Sequence, residues 1–273
     1  MKIARIQDSA QQIHVVTPSG DRWLRCHGDL EHGWTASEEE IVPVRFLPPV
    51  VPTTILGIGL NYRAHAEEMN SPLPEFPVVF AKSLNAACGH LDAVELPVAL
   101  KSEMVDYEVE MAIVIGKTCK NVAPEQALEV IAGYTIGNDV SARDWQKIYG
   151  GGQWSRAKSF DTFCPLGPVM VTADEIADPN ALALSMEING ERVQSSNTSD
   201  LIFNVQALIS FLSGSTTLLA GTVILTGTPP GVGAGKTPPV YLKAGDVMEA
   251  EIAGIGRLRN PIIDEPTRAE QGE

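Results

Sequence analysis

The sequence predicts a β-rich, mixed α/β fold, and three observations carry that prediction. Apolar runs of strand length recur along the chain with Gly, Pro, Asn or Asp at their ends. Helical periodicity is confined to three short stretches. An Asn189-Gly190 dipeptide separates two alternating runs, and both of its positions favour the positive φ of a tight hairpin.

In chain order, Lys2 to Ile6 and Gln12 to Val16 read as short strands of a hairpin or meander. The prolines of Pro48-Pro49-Val50-Val51-Pro52 continue neither a helix nor a central strand, so this stretch reads as a linker. It divides the chain into a small β-rich unit, residues 1–52, and a main domain, residues 53–273. Strands are expected at Thr54 to Leu60, Tyr107 to Ile115, Tyr134 to Val140, Val169 to Thr172, Leu182 to Ile188, Glu191 to Gln194, Thr222 to Thr226 and Asp246 to Ile252. Helices are expected at Ala64 to Met69, Pro124 to Ile131 and Asn204 to Phe211. There is no internal repeat and no low-complexity segment.

Charge narrows the function. With 34 Asp+Glu against 20 Lys+Arg the net charge is −14, which argues against nucleic-acid binding and against docking on an anionic membrane. A hydrophobic content of 44% with 20% charged residues suits a large buried core. The first residues have no apolar signal-peptide core, and no run of about 18 uncharged apolar residues is present to span a membrane. The four cysteines, Cys26, Cys88, Cys119 and Cys164, lack the spacing of a zinc or redox motif, so reduced thiols and a cytoplasmic location are expected.

The most informative stretch is Asp106-Tyr107-Glu108-Val109-Glu110-Met111-Ala112-Ile113-Val114-Ile115-Gly116. Side chains alternate along a strand, so Glu108 and Glu110 share a face, and the apolar residues after them mark a strand buried on both sides. Two readings meet this pattern. Either the strand end is solvated, or the two carboxylates are compensated by a bound dication, because burying them unpaired costs several kcal/mol. Asp139, at the end of the apolar run Tyr134 to Val140, tips the balance toward the cation. Oxygen-only ligands suit Mg²⁺, Mn²⁺ or Ca²⁺.

Asp106-Tyr107-Glu108-Val109-Glu110 followed by Gly137-Asn138-Asp139-Val140-Ser141-Ala142-Arg143-Asp144 resembles the fumarylacetoacetate hydrolase family. Four further segments match in the family's order: Gly59 to Glu68, Lys158-Ser159-Phe160-Asp161, Asn197 to Phe203 and Thr226 to Gly233. The resemblance covers roughly residues 54 to 263 and is carried by the ordered set of six. It implies mixed β-sheets rolled around a metal site and a small N-terminal β appendage. It implies Mg²⁺ or Mn²⁺ held by Glu108, Glu110 and Asp139, and a small-molecule 2-oxo acid as substrate. By the same resemblance His65 and Glu68, on a mobile lid, activate water, the carboxylate orienting the imidazole that takes the proton. Lys158 is the family lysine beside the metal, and Arg143, Gln153 and Thr228 match pocket positions. The resemblance further implies a homodimer.

The reaction expected first is hydrolysis of a C–C bond in a 2,4-dioxo acid such as an acylpyruvate or fumarylpyruvate, the metal holding the carbanion as an enolate. The alternative is a lyase or isomerase on a 2-oxo acid: oxaloacetate decarboxylation, hydration of a 2-oxo-alkenoate, or tautomerisation. A ligand-binding relative without catalysis is the third reading. The chain departs from the family's pattern at Lys82-Ser83, where Lys-Pro is usual, and at Gly89-His90, where Gly-Pro is usual. Cys88 reads as a small buried residue. Gly231 to Thr237 imitates the end of a phosphate-binding loop, but Pro230 stands where the pattern needs Gly, and Pro238-Pro239 block the helix that must follow.

Overall fold

The computed structural model of the chain describes residues 1–266. Among these residues one 12-stranded sheet runs in the order Gly33–Glu40, Arg22–Asp29, Ile13–Ser19, Lys2–Gln7, Cys164–Thr172, Ile131–Asn138, Val109–Ile115, Thr222–Leu225, Thr54–Gly59 and Val78–Lys82. Arg45–Leu47 and Ala87–Cys88 pair off this path. Most neighbours are antiparallel, but Thr54–Gly59 runs parallel to Thr222–Leu225, so the sheet is mixed. A second, five-stranded sheet orders Glu191–Asn197, Ala183–Ile188, Val247–Ile252, Gly256–Asp264 and Val94–Leu96. The fold is the β-rich, mixed architecture that the sequence predicts.

The core explains the apolar runs. Val109–Ile115 lies between Ile131–Asn138 and Thr222–Leu225, and all seven of its residues are buried. A strand covered on both faces needs apolar side chains on both, which is why its sequence does not alternate. At the hairpin, Asn189 and Gly190 take φ of 54° and 82°, as the dipeptide predicts.

The two α-helices, Arg63–Glu68 and Val205–Ser213, sit where expected, the second capped by Asn204 Oδ1 accepting from the Ala207 amide. The expected helix from Pro124 to Ile131 is instead a 3₁₀ turn, Pro124–Val130. Its last carbonyl, that of Val130, accepts the Gly116 and Lys117 amides, and the β-branched Ile131 already opens the next strand. The expected strand from Tyr107 to Ile115 starts later, at Val109: residues 107 and 108 are irregular, and Val105–Asp106 before them pairs with Ser141–Ala142. Residues 1–52 join the main sheet through Lys2↔Val171 and Ile3↔Met170, and Val50 of the proline-rich stretch is buried.

Candidate active site

Strand register brings the three acids together. Val109 pairs with Asn138 and Glu110 with Gly137, so continuing the same antiparallel register sets Glu108 opposite Asp139. The Asp139 amide indeed donates to the Glu108 carbonyl at 2.9 Å. Two residues along, Glu110 returns to the same face. One oxygen of each of Glu108, Glu110 and Asp139 lies within 4.8 Å of the others, and all three residues are buried.

Cations hold this cluster in place. Lys158 Nζ donates to Glu108 Oε2 at 2.8 Å and to Asp139 Oδ2, while Lys82 Nζ donates to Asp139 Oδ1 and to the Val140 carbonyl. Arg143 Nη2 lies 2.7 Å from Glu108 Oε1, and its Nε donates to Asp106 Oδ2 at 2.9 Å. Asp106 in turn accepts the Gly233 and Ala234 amides at 2.7 and 2.9 Å. The loop that imitates a phosphate cradle thus spends those two amides on a carboxylate of the protein itself.

The environment separates the two glutamates. Burial alone would raise Glu108, but Lys158 and Arg143 outweigh it and hold the carboxyl far below its ordinary range. Glu110 goes the other way: burial, then Asp139 and Glu108, push it well above its ordinary value, against the opposing pull of Lys158. Burial opposes the charge on Lys158, yet Asp139 and Glu108 raise its pKa, so the ammonium is a fixed positive charge.

The donor set fits a hard dication. All three donors are carboxylate oxygens, and positive charge among them relieves the repulsion that raises Glu110. This fit predicts a pH effect of definite sign. Glu110 must release its proton to bind the ion. Metal affinity therefore rises with pH, by about tenfold per unit while Glu110 of the metal-free protein is protonated, and levels off above its pKa. Calorimetry at mildly acidic pH in two buffers of different ionisation enthalpy should show release of a proton. Affinity independent of pH, with equal heats in both buffers, would contradict it.

The His–Glu pair sits on the Arg63–Glu68 helix. Residues three apart share a helix face, and His65 Nδ1 meets Glu68 Oε2 at 2.8 Å. With the carboxylate ionised, Nδ1 carries the proton and Nε2 is the free ring nitrogen. Glu68 Oε1 accepts the Gly231 amide at 2.8 Å, which ties the helix to the loop after the Thr222–Leu225 strand. Asn61, fully buried before the helix, donates to the Thr226 and Phe203 carbonyls and accepts the Phe203 amide.

Gly227 closes the arrangement. Its amide donates to Glu110 Oε2 at 2.6 Å from a φ of +100°, and a Cβ there would lie 2.7 Å from Asn61 Cβ. Gly227→Ala is expected to cost about 1–3 kcal/mol through strain at that φ and to weaken metal binding by turning the Glu110 donor. Thermal melts with and without magnesium measure both effects. A variant with native melting and native affinity would show that the glycine is dispensable.

His65, Glu108, Glu110, Asp139, Arg143, Lys158 and Thr228 line one cavity of about 230 Å³. Glu68 stands behind His65. Gln153 is exposed and is not part of the lining, whereas Gln146, which accepts from Arg143 Nη1 at 3.0 Å, is. Sequence reasoning missed Lys82, Gln146, Asp106, Asn61 and Trp154. Gln146 stands three residues after Arg143, just past the segment that drew attention to Arg143; Lys82 lies in a segment noted only for its departure from the family's pattern, and Trp154 follows a run of three glycines that reads as a loop. The four cysteines are free, and burial pushes the Cys88 thiol well up, so it is an inert core residue.

Fold and cavity together bring onto one small chamber a buried carboxylate triad that could hold a metal ion and a histidine backed by a carboxylate. The chain belongs to the fumarylacetoacetate hydrolase family: residues 54–263 match the family model described as fumarylacetoacetate (FAA) hydrolase C-terminal. It is 47% identical over 221 residues to an oxaloacetate tautomerase, fahd2, mitochondrial, of Xenopus laevis, which spans 81% of this chain and 69% of that one. A solved 5-carboxymethyl-2-hydroxymuconate delta-isomerase from Mycobacterium smegmatis superposes with a TM-score of 0.84 at 38% identity, over 97% of this chain and 100% of the other. A fumarylacetoacetate hydrolase from Exiguobacterium antarcticum superposes with a TM-score of 0.84 at 35% identity, over the same shares. These relatives include tautomerases, isomerases and hydrolases, so the protein is an enzyme whose reaction class the family alone leaves open. Among the described residues no helix is long and apolar enough to cross a membrane.

Proposed function

We propose that this enzyme interconverts the enol and keto forms of a 2-oxo acid. The observation that carries the reading is the placement of His65, its Nδ1 fixed by Glu68, on the same chamber as Glu108, Glu110, Asp139 and Lys158. Ketonisation breaks the enol O–H bond, its proton leaving to solvent, forms a C–H bond at the neighbouring carbon and shifts the C=C double bond to C=O, and no carbon–carbon σ bond is cleaved; enolisation runs these steps in reverse. His65 Nε2 is the group that takes and returns a proton at that carbon, with Glu68 steadying the imidazolium. Lys158, a permanent cation, holds negative charge developing on the substrate oxygen. Arg143, set by Asp106 and Gln146, and Thr228 orient the substrate; Gln153 has no part in this reading. Mg²⁺ or Mn²⁺, when held by Glu108, Glu110 and Asp139, supplies a Lewis acid that polarises the carbonyl. The 47% identity to an oxaloacetate tautomerase supports the choice over the hydrolysis expected from sequence.

C–C hydrolysis of a 2,4-dioxo acid is the second reading, favoured by the likeness to the Exiguobacterium antarcticum fumarylacetoacetate hydrolase. The same His65–Glu68 pair would then deprotonate water. NMR of the magnesium-loaded enzyme with enol-oxaloacetate and with short acylpyruvates separates the two. Faster enol–keto exchange without pyruvate release is expected. Pyruvate and a carboxylic acid from acylpyruvates would replace the first reading with the second, and carbon dioxide release would replace it with decarboxylation. A homodimer in a reducing compartment such as the cytoplasm completes the proposal; the four free cysteines support the compartment, and light scattering giving twice the chain mass would support the dimer.

A further inference from the structure

The chamber leaves one of its cations uncommitted. Its ionisable lining, His65 aside, is three acids, Glu108, Glu110 and Asp139, and three cations, Arg143, Lys147 and Lys158. Lys158 is shared between Glu108 and Asp139, and Arg143 between Glu108, Asp106 and Gln146. Behind the lining, Lys82 pairs with Asp139, and Glu68 is turned to His65 and the Gly231 amide. Lys147 has no hydrogen bond or ion pair among the described residues, although its side chain reaches the chamber from an exposed position at the mouth.

Its backbone is nonetheless fixed. Lys147 lies in the helical turn Trp145–Tyr149, which Asp144 caps by accepting the Trp145 amide at 2.8 Å; Asp144 also accepts from Ser102 Oγ and the Glu103 amide. Trp145 Nε1 further donates to the Lys101 carbonyl. Elsewhere the wall is largely apolar, built by Ile58, Leu60, Met69, Phe80 and Trp154, and beyond the neutral donors of Ser71, Gln146, Trp154 and Thr228 it offers an anion no further charge. The charges of the lining cancel, a dication adds two positive charges, and a substrate carrying two carboxylates returns the chamber to neutrality. One carboxylate belongs with the 2-oxo group at the cation site; the other needs a second cation at a distance from it.

We propose that Lys147 is the specificity residue of this enzyme, receiving the far carboxylate of a dicarboxylic 2-oxo acid and so selecting such substrates over monocarboxylic ones. The inference rests on the reading of the chamber as a 2-oxo acid site and adds the residue that sets the preference for a second carboxylate.

Binding of ligands that give no net product tests it apart from turnover. Calorimetry on the magnesium-loaded protein compares difluoro-oxaloacetate, which cannot enolise, with pyruvate. Lys147→Gln is expected to weaken the dicarboxylate about 10- to 100-fold, the worth of one charge-assisted hydrogen bond, and to leave pyruvate within about twofold. Lys147→Arg should keep most of the preference. The position is exposed, so both variants should melt like the parent. Equal weakening of both ligands, or of neither, overturns the assignment. Binding of neither ligand by the parent overturns both the assignment and the proposed function. Selective loss in Lys147→Gln without any enol–keto turnover by the parent upholds the assignment and sinks the tautomerase reading alone.

Discussion

Asp139→Asn is expected to abolish magnesium binding, to lower turnover about a thousandfold or more, and to cost about 3–5 kcal/mol of folding stability. The size of the effect follows from how much converges on this side chain. Asp139 is one of the three carboxylates that could hold a metal ion, and it is the acid that accepts from both Lys82 and Lys158. All three side chains are almost fully removed from water. An amide keeps the shape but offers each ammonium a neutral acceptor at most, and one of its two positions becomes a donor facing a cation. Loss of a single partner from a buried ionic cluster is costly because the remaining charges cannot be hydrated. Calorimetry with magnesium, a denaturant titration and enol–keto kinetics measure the three parts separately. A variant that still takes up magnesium with parental affinity would refute the triad as the cation site.

His65→Gln is expected to lower kcat by about 10²- to 10⁴-fold, the usual worth of a positioned general base, with magnesium affinity and melting temperature close to the parent's. Glutamine can occupy the same buried position on the helix and hydrogen-bond to Glu68, but it cannot take a proton. The contrast with Asp139→Asn is the diagnostic part: one variant loses the metal and the fold's ionic centre, the other loses proton transfer alone. Glu68→Gln should fall between the parent and His65→Gln, since an amide oxygen still accepts the Gly231 amide but no longer stabilises an imidazolium. Exchange of the substrate's C3 proton with solvent, followed by NMR in deuterated buffer, reads this step directly. Parental exchange rates in His65→Gln would remove the histidine from the mechanism.

Much of the architecture was legible because the core writes itself into the chain. Val109–Ile115 is buried on both faces and therefore apolar throughout, and Asn189-Gly190 could only be a tight turn. The Pro124–Val130 turn was misread as a helix because propensity within seven residues cannot reveal that Val130 is claimed by Gly116 and Lys117 across the sheet. The strands Arg22–Asp29 and Gly33–Glu40 were not foreseen, since few of their residues are buried and their alternation is weak.

The site divides in the same manner. The acids could be read from the chain alone, because carboxylates inside apolar strands are costly and conspicuous, and so could the His65–Glu68 pairing, because three-residue spacing sets two side chains on one face of any helix. It took the folded chain to set Asp139 across from Glu108, to join Lys82 and Lys158 on the same carboxylate, and to bring Gln146 and Lys147 rather than Gln153 to the chamber. Lysines and glutamines are at home on any surface, so nothing local marks the few that folding turns inward, whereas a buried charge without a partner is dear enough to betray itself in the chain.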